Sequence, residues 1–145
     1  MSSFDCIKTL AGHDHNVSCA IFSPDGTKIF SSSRDKTIKI WETASGYCVK
    51  TLTGHDEWVR KIVINDDGTL LASCSQDQTA KIWNIAKGEV IKTLRGHTHV
   101  IECITIAPLQ AHQYISEEVF FILTIYAKYI NTFQKKKIEK RRKTN

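Results

Sequence analysis

A 42-residue repeat limits what this chain can fold into more than any other feature. Gly12-His13, a turn at Pro24-Asp25-Gly26 and the run Ser33-Arg34-Asp35-Lys36-Thr37-Ile38-Lys39-Ile40-Trp41 form one frame. Gly54-His55, Asp66-Asp67-Gly68 and Ser75-Gln76-Asp77-Gln78-Thr79-Ala80-Lys81-Ile82-Trp83 follow 42 residues later, and Gly96-His97 restarts the frame after 42 more. A period of about 40–45 residues that opens on Gly-His and closes on Asp and then Trp marks a four-stranded β-propeller blade. The expected fold is therefore all-β, with propeller blades in partial number. Closing a ring takes roughly four to eight blades, more than 145 residues supply.

The apolar alternation places the strands. In the first blade, residues 12–53, they are predicted at Val17–Phe22, Lys28–Ser33, Thr37–Trp41 and Tyr47–Leu52. In the second, residues 54–95, they are predicted at Val59–Ile64, Leu70–Ser75, Thr79–Trp83 and Glu89–Leu94. Lys8-Thr9-Leu10 repeats the ending of the fourth strand, so residues 4–11 are read as the outer strand of a preceding blade. Residues 96–108 are read as the start of a further blade, with a strand at Ile101–Ile106, which makes 4–108 the propeller portion. Residues 109–145 break the frame: Val119 and Ile125 stand where the Asp and Trp of a third blade belong. This tail is apolar and aromatic, then basic.

The net charge of +5 suggests a polyanion as partner until it is located. Seven of the Lys and Arg residues lie between Lys135 and Lys143, against a single Glu there, so the propeller portion is close to neutral. It carries no electrostatic footprint for phosphate, and no nucleic acid is expected as partner. The basic run suits either a solvated tail or a localisation or phosphate-binding cluster. Val119–Ile130 is apolar but interrupted by Lys128 and falls short of the ~20 residues a spanning helix needs, so no membrane span is expected. Cys6 and Cys48, and Cys19 and Cys103, keep the repeat spacing, which puts them on different blades; free thiols in a reducing, cytoplasmic compartment are expected.

His13, Ser33 and Asp35 are the residue types of a hydrolase triad, and His55, Ser75 and Asp77 repeat them one period later. A structure needs one brace per unit, whereas an enzyme seldom needs one triad per unit. Indole N–H only donates, a hydroxyl both accepts and donates, and imidazole can link that hydroxyl to a carboxylate. The expected network is thus Trp41–Ser33–His13–Asp35, with Ser31 a same-face substitute for Ser33, and Trp83–Ser75–His55–Asp77 in the second blade. No catalytic residue, cofactor or small-molecule substrate is expected. The Cys and His spacings lack the tight pairs of a metal site, and no metal is expected.

Positions that differ between repeats are the ones free to recognise partners. Asn16, Trp58 and Val100 are equivalent, as are Ser18, Arg60 and Glu102, and Arg34 and Gln76. Arg34, Trp58 and Arg60 are residue types enriched at binding hot spots, and they form the candidate partner-binding set. The competing reading is a Trp packed between blades beside two solvated arginines.

Four runs carry a closer resemblance. Ser33 to Glu42, Gly46 to Thr51, Gly54 to Arg60 and Asp67 to Ser75, continued by Gly96 to Ile104, resemble the middle blades of the WD40-repeat lissencephaly-protein family. The resemblance covers about residues 4–108. It implies a non-enzymatic scaffold in the cytoplasm, at the cytoskeleton, microtubules and centrosome. Its implied partners are the cytoplasmic dynein motor, a nuclear-distribution adaptor and the catalytic subunits of brain platelet-activating-factor acetylhydrolase. The implied roles are microtubule-based transport, nuclear migration and spindle positioning. By resemblance, Arg34, Trp58 and Arg60 match motor-facing positions on the narrow face of a seven-bladed ring. The family's N-terminal dimerisation region and its other blades have no counterpart in the sequence, which therefore reads as a truncated fragment with a divergent tail. A generic propeller adaptor in another complex, or a non-functional truncated product, are the alternatives.

Overall fold

Period-2 alternation and paired turn residues build two copies of one sheet. The computed structural model describes residues 5–106. The first sheet is made of β1 (Val17–Phe22), β2 (Lys28–Ser33), β3 (Ile38–Glu42) and β4 (Cys48–Leu52), paired antiparallel in chain order. The second repeats it with β5 (Val59–Ile64), β6 (Leu70–Ser75), β7 (Ala80–Asn84) and β8 (Glu89–Leu94). Both sheets carry irregular registers at the same places, between Val17 and Cys19 and between Val59 and Lys61. A second pair lies between Ile40 and Trp41 and between Ile82 and Trp83.

Several predicted boundaries move by one residue, for local reasons. Thr37 and Thr79 stand before β3 and β7 because the N–H and hydroxyl of each bind the carboxylate of Asp35 or Asp77. Tyr47 precedes β4 because its carbonyl closes the turn by accepting the Glu42 N–H at 3.0 Å. Residues 5–10 and 101–106 were predicted as strands and are not. A strand exists only by pairing, and among the described residues no free edge meets either segment in ladder register. Lys8 instead lays its ammonium on the Thr43 and Ala44 carbonyls. The tail expected at 109–145 lies outside the described residues.

The core sits between the sheets. Phe30, Ile38 and Ile40 on one face of the first sheet meet Val59, Ile62, Leu71 and Trp83 on one face of the second, with Leu52 and Ile85 closing the ends. Full burial of such side chains stabilises by about 1.5–3 kcal/mol each. The repeat makes the asymmetry of the two faces readable: Val59 is 0% exposed, while Val17, its counterpart one period earlier, is 52% exposed. The far face of the second sheet, with Ala72, Cys74, Ala80 and Ile82, is covered by Ile101 and Ile104.

Glycine is required where the chain crosses a tryptophan. A Cβ on Gly54, at φ +156°, would stand 3.1 Å from the Trp83 ring, and one on Gly12 would stand 3.2 Å from Trp41. The Gly-His opening of each repeat is thus the lid over its own indole.

Candidate functional site

Each of the two complete repeats folds its recurring polar residues into one chain of hydrogen bonds. Trp83 Nε1 donates to Ser73 Oγ at 2.8 Å, and that hydroxyl stands 2.7 Å from His55 Nε2. His55 Nδ1 stands 2.7 Å from Asp77 Oδ2. An ionised carboxylate only accepts, so His55 Nδ1–H points at Asp77; with burial holding the His55 pKa down, Nε2 is left to take the Ser73 hydroxyl proton, while Ser73 Oγ accepts the indole N–H. The imidazole is neutral in this order. The first repeat shows the same order with Trp41, Ser31, His13 and Asp35, at 2.8, 2.7 and 2.6 Å.

The serine in this chain is therefore Ser31, not Ser33, and Ser73, not Ser75. Ser33 and Ser75 do other work. Each hydroxyl accepts the N–H of the Asp two residues on, at 3.0 Å, and donates to a loop carbonyl, that of His15 or Glu57. Two further residues complete the brace without having been singled out in the sequence. Thr37 and Thr79 each give a hydroxyl and an N–H to Oδ1 of Asp35 or Asp77, at 2.6 and 2.9 Å. Their signal was available: the spacing Asp-x-Thr occurs in both repeats.

Electrostatics follow from these contacts. For Asp77, burial alone would raise the pKa, but the Thr79 hydroxyl, His55 and the Thr79 N–H outweigh it and hold the carboxyl down at about 2. Asp35 behaves alike, with burial opposed by Thr37, His13 and the Asp14 N–H, and also sits at about 2. Burial pushes the His55 pKa below its ordinary value against the pull of Asp77.

This order, Ser to His to Asp, is that of a hydrolase triad, but its chemistry is closed off. A nucleophile needs a free lone pair and room for a carbonyl carbon, and Ser73 Oγ is capped by the indole at 0% exposure. A cleft of about 350 Å³ lies at the other end of the strands, lined by Ile21, Phe22, Pro24, Val63, Ile64, Asn65 and Asp66, and contains none of the quartet.

The rim residues do converge. Arg34, in the β2–β3 turn of the first sheet, sets its guanidinium carbon 4.1 Å from the centre of the Trp58 ring, which belongs to the loop before β5. Arg60 stands 5.3 Å from the same ring and donates from Nη2 to Gln76 Oε1 at 3.0 Å. Backbone bonds fix both loops: Arg34 N–H to the Asn16 carbonyl and Gln76 N–H to the Trp58 carbonyl. Trp58 and Arg60 are half-buried, Arg34 is exposed, and Arg60 Nε is buried without a hydrogen-bond partner among the described residues. The sequence reading missed Gln76 as the residue that aims Arg60.

A family model described as WD domain, G-beta repeat matches residues 4–42 and 46–84, more than half of the chain. The chain belongs to the WD-repeat family. Its two sheets are blades of the partial propeller, and its brace is the repeat's own frame. Among curated relatives, the nuclear distribution protein PAC1 of Coccidioides posadasii is 42% identical over 118 residues, covering 76% of this chain and 25% of the relative. PAC1 of Candida tropicalis is 48% identical over 44 residues, 30% of this chain and 9% of that protein. The vegetative incompatibility protein HET-E-1 of Podospora anserina is 56% identical over 41 residues, 28% of this chain and 3% of that protein. This WD-repeat chain thus spans a quarter or less of the length of these relatives.

Proposed function

We propose that this chain is a non-enzymatic WD-repeat scaffold of the lissencephaly type, which binds the cytoplasmic dynein motor through Arg34, Trp58 and Arg60. One observation carries the reading: two arginines and one tryptophan, drawn from two adjacent blades and from positions that vary between repeats, stack into a single rim platform. A guanidinium held against an aromatic face keeps its forked donors free for carboxylates, and the indole supplies apolar area. Likeness to two nuclear distribution proteins supports placing that platform in microtubule-based transport and nuclear migration. The brace residues His13, Ser31, Asp35, Trp41, His55, Ser73, Asp77 and Trp83 serve the frame in this reading, supported by Ser33 and Ser75 on the Asp N–H groups. Other protein partners in this reading are a nuclear-distribution adaptor and the acetylhydrolase catalytic subunits.

The test is capture of purified dynein motor domain by the full chain and by its Arg34→Ala/Arg60→Ala variant. Capture by the parent and its loss in the variant, with circular dichroism unchanged, is the expected result. Equal capture by both would remove the rim platform from the interface. Failure of both to bind would favour an adaptor role in another complex, a reading consistent with the local likeness to HET-E-1.

A further inference from the structure

Residues 101–106 run beside β5 in the direction of that strand. Ile101 gives its N–H to the Ser75 carbonyl at 3.2 Å, and Lys61 Nζ donates to Cys103 Sγ at 3.1 Å. Ile106 and Val63 then pack against one apolar cluster, the covered far face of the second sheet. Ile106 stands one period after Ile64 and two after Phe22, the last residues of β5 and β1. The described residues therefore end at the end of the sheets that holds the cleft of about 350 Å³.

That cleft is apolar inside and acidic at its rim. Ile21, Phe22 and Pro24 reach it from the first blade, and Val63, Ile64 and Asp66 from the second. The two turns close on each other, since a Cβ on Gly68 would stand 3.5 Å from Pro24. Phe22 is 63% exposed there. Residues 23–28 and 65–70, the turns that carry the rim, contain three carboxylates, Asp25, Asp66 and Asp67, and one cation, Lys28. Asp25 and Asp67 spend Oδ1 on their own turns, on Ser23 and Thr27 and on Thr69. The Asp66 carboxylate is exposed and makes no hydrogen bond or ion pair among the described residues. An apolar cleft with spare negative charge on its wall suits an apolar side chain followed by cations.

The sequence beyond Ile106 contains that pattern. Phe133 is followed at once by Gln134 and then by Lys135, Lys136 and Lys137. We propose that the cleft is the docking site of the chain's own residues 129–137, with Phe133 the anchor beside Phe22 and Ile64 and the lysines against Asp66. Reach is no obstacle: at up to about 3.5 Å per residue, a few residues cross the ~10 Å between packed sheets, and residues 107–128 are available. The aromatic pair of Phe133 and Phe22 supplies the hold, whereas the ion pairs at the rim set direction and add little. Arg34 and Trp58 lie in turns at the opposite ends of the strands, so the docked segment leaves the rim platform open.

The experiment couples amines to carboxylates with a carbodiimide in a dilute equal mixture of ¹⁵N-labelled and unlabelled full chain, and maps the crosslinks by peptide mass spectrometry. The pair Lys36 and Glu57, 3.4 Å apart, serves as an internal control of the fold. Crosslinks from Asp66 to Lys135, Lys136 or Lys137 are expected within single copies. Phe133→Ala is expected to lower them by about tenfold, the scale of losing a buried aromatic anchor, while the Lys36 to Glu57 crosslink holds. Phe22→Ala, which changes the cleft instead of its occupant, is expected to act in the same direction. No crosslink at Asp66, or one that both variants leave unchanged, would overturn the proposal. Crosslinks that join labelled to unlabelled chains would also overturn it, by making a second copy the occupant.

Discussion

The hydroxyl of Ser73 accepts the indole N–H of Trp83 at 2.8 Å, with Ser73 fully buried and Trp83 1% exposed. Two buried groups, the indole N–H and His55 Nε2, depend on that oxygen. Ser73→Ala orphans both, and an orphaned buried partner costs about 1–3 kcal/mol. Urea denaturation is expected to show a loss within or above that range, with an unchanged slope.

Gly54 and Gly96 occupy the same repeat position but face different surroundings. A Cβ on Gly54 would stand 3.1 Å from Trp83 and 3.4 Å from Val90, whereas one on Gly96 would meet nothing within 4 Å among the described residues. Gly54→Ala is expected to cost about 2–3 kcal/mol from overpacking and backbone strain together. Gly96→Ala, with only the backbone term at φ +129°, should cost about half as much. Thermal melts of the two variants side by side check the difference.

Acid should act in two stages. His55 has its folded pKa below its ordinary 6.5, so the unfolded chain binds the proton first and stability declines as pH falls through that value. Asp35 and Asp77 sit at about 2 against an ordinary 3.8, so their contribution is present above that ordinary value and disappears as pH drops toward 2. Urea midpoints measured from about pH 7.5 to about pH 3 should fall throughout. A flat profile over the upper half of that range would place His55 in contact with solvent.

The rim arginines should matter little to the fold. Arg60 gains about 0.5–1 kcal/mol from the Trp58 face at an exposed rim and about 1 kcal/mol from Gln76, set against its orphaned Nε. Arg60→Ala is expected to shift unfolding by less than about 1 kcal/mol. A loss several times larger would mark Arg60 as part of the frame.

The repeat made most of this fold legible, because matching residues one period apart must take matching places. What it left open was register. Ser31 and Ser33 lie on one face of β2, and which of them meets Trp41 depends on the pairing of Ile29 with Trp41, which no local pattern encodes. Residues 5–10 have the composition of a strand, yet composition cannot supply the neighbouring edge that makes one. The rim platform was legible as residue types, but its stacking across two blades was not, since Arg34 and Trp58 belong to different repeats. The contact of Lys61 with Cys103 was not legible for the same reason, as it joins two different repeats.

The central claim is that the imidazole and carboxylate of each repeat hold strands together and do no chemistry. Its most direct test is the unfolding free energy of Asp77→Ala, measured by urea denaturation against the parent chain. Removing this carboxylate strands the His55 Nδ1–H, the Asp56 N–H and both donors of Thr79. The account predicts a loss of about 3 kcal/mol or more, or no cooperative transition at all; a variant as stable as its parent would contradict it.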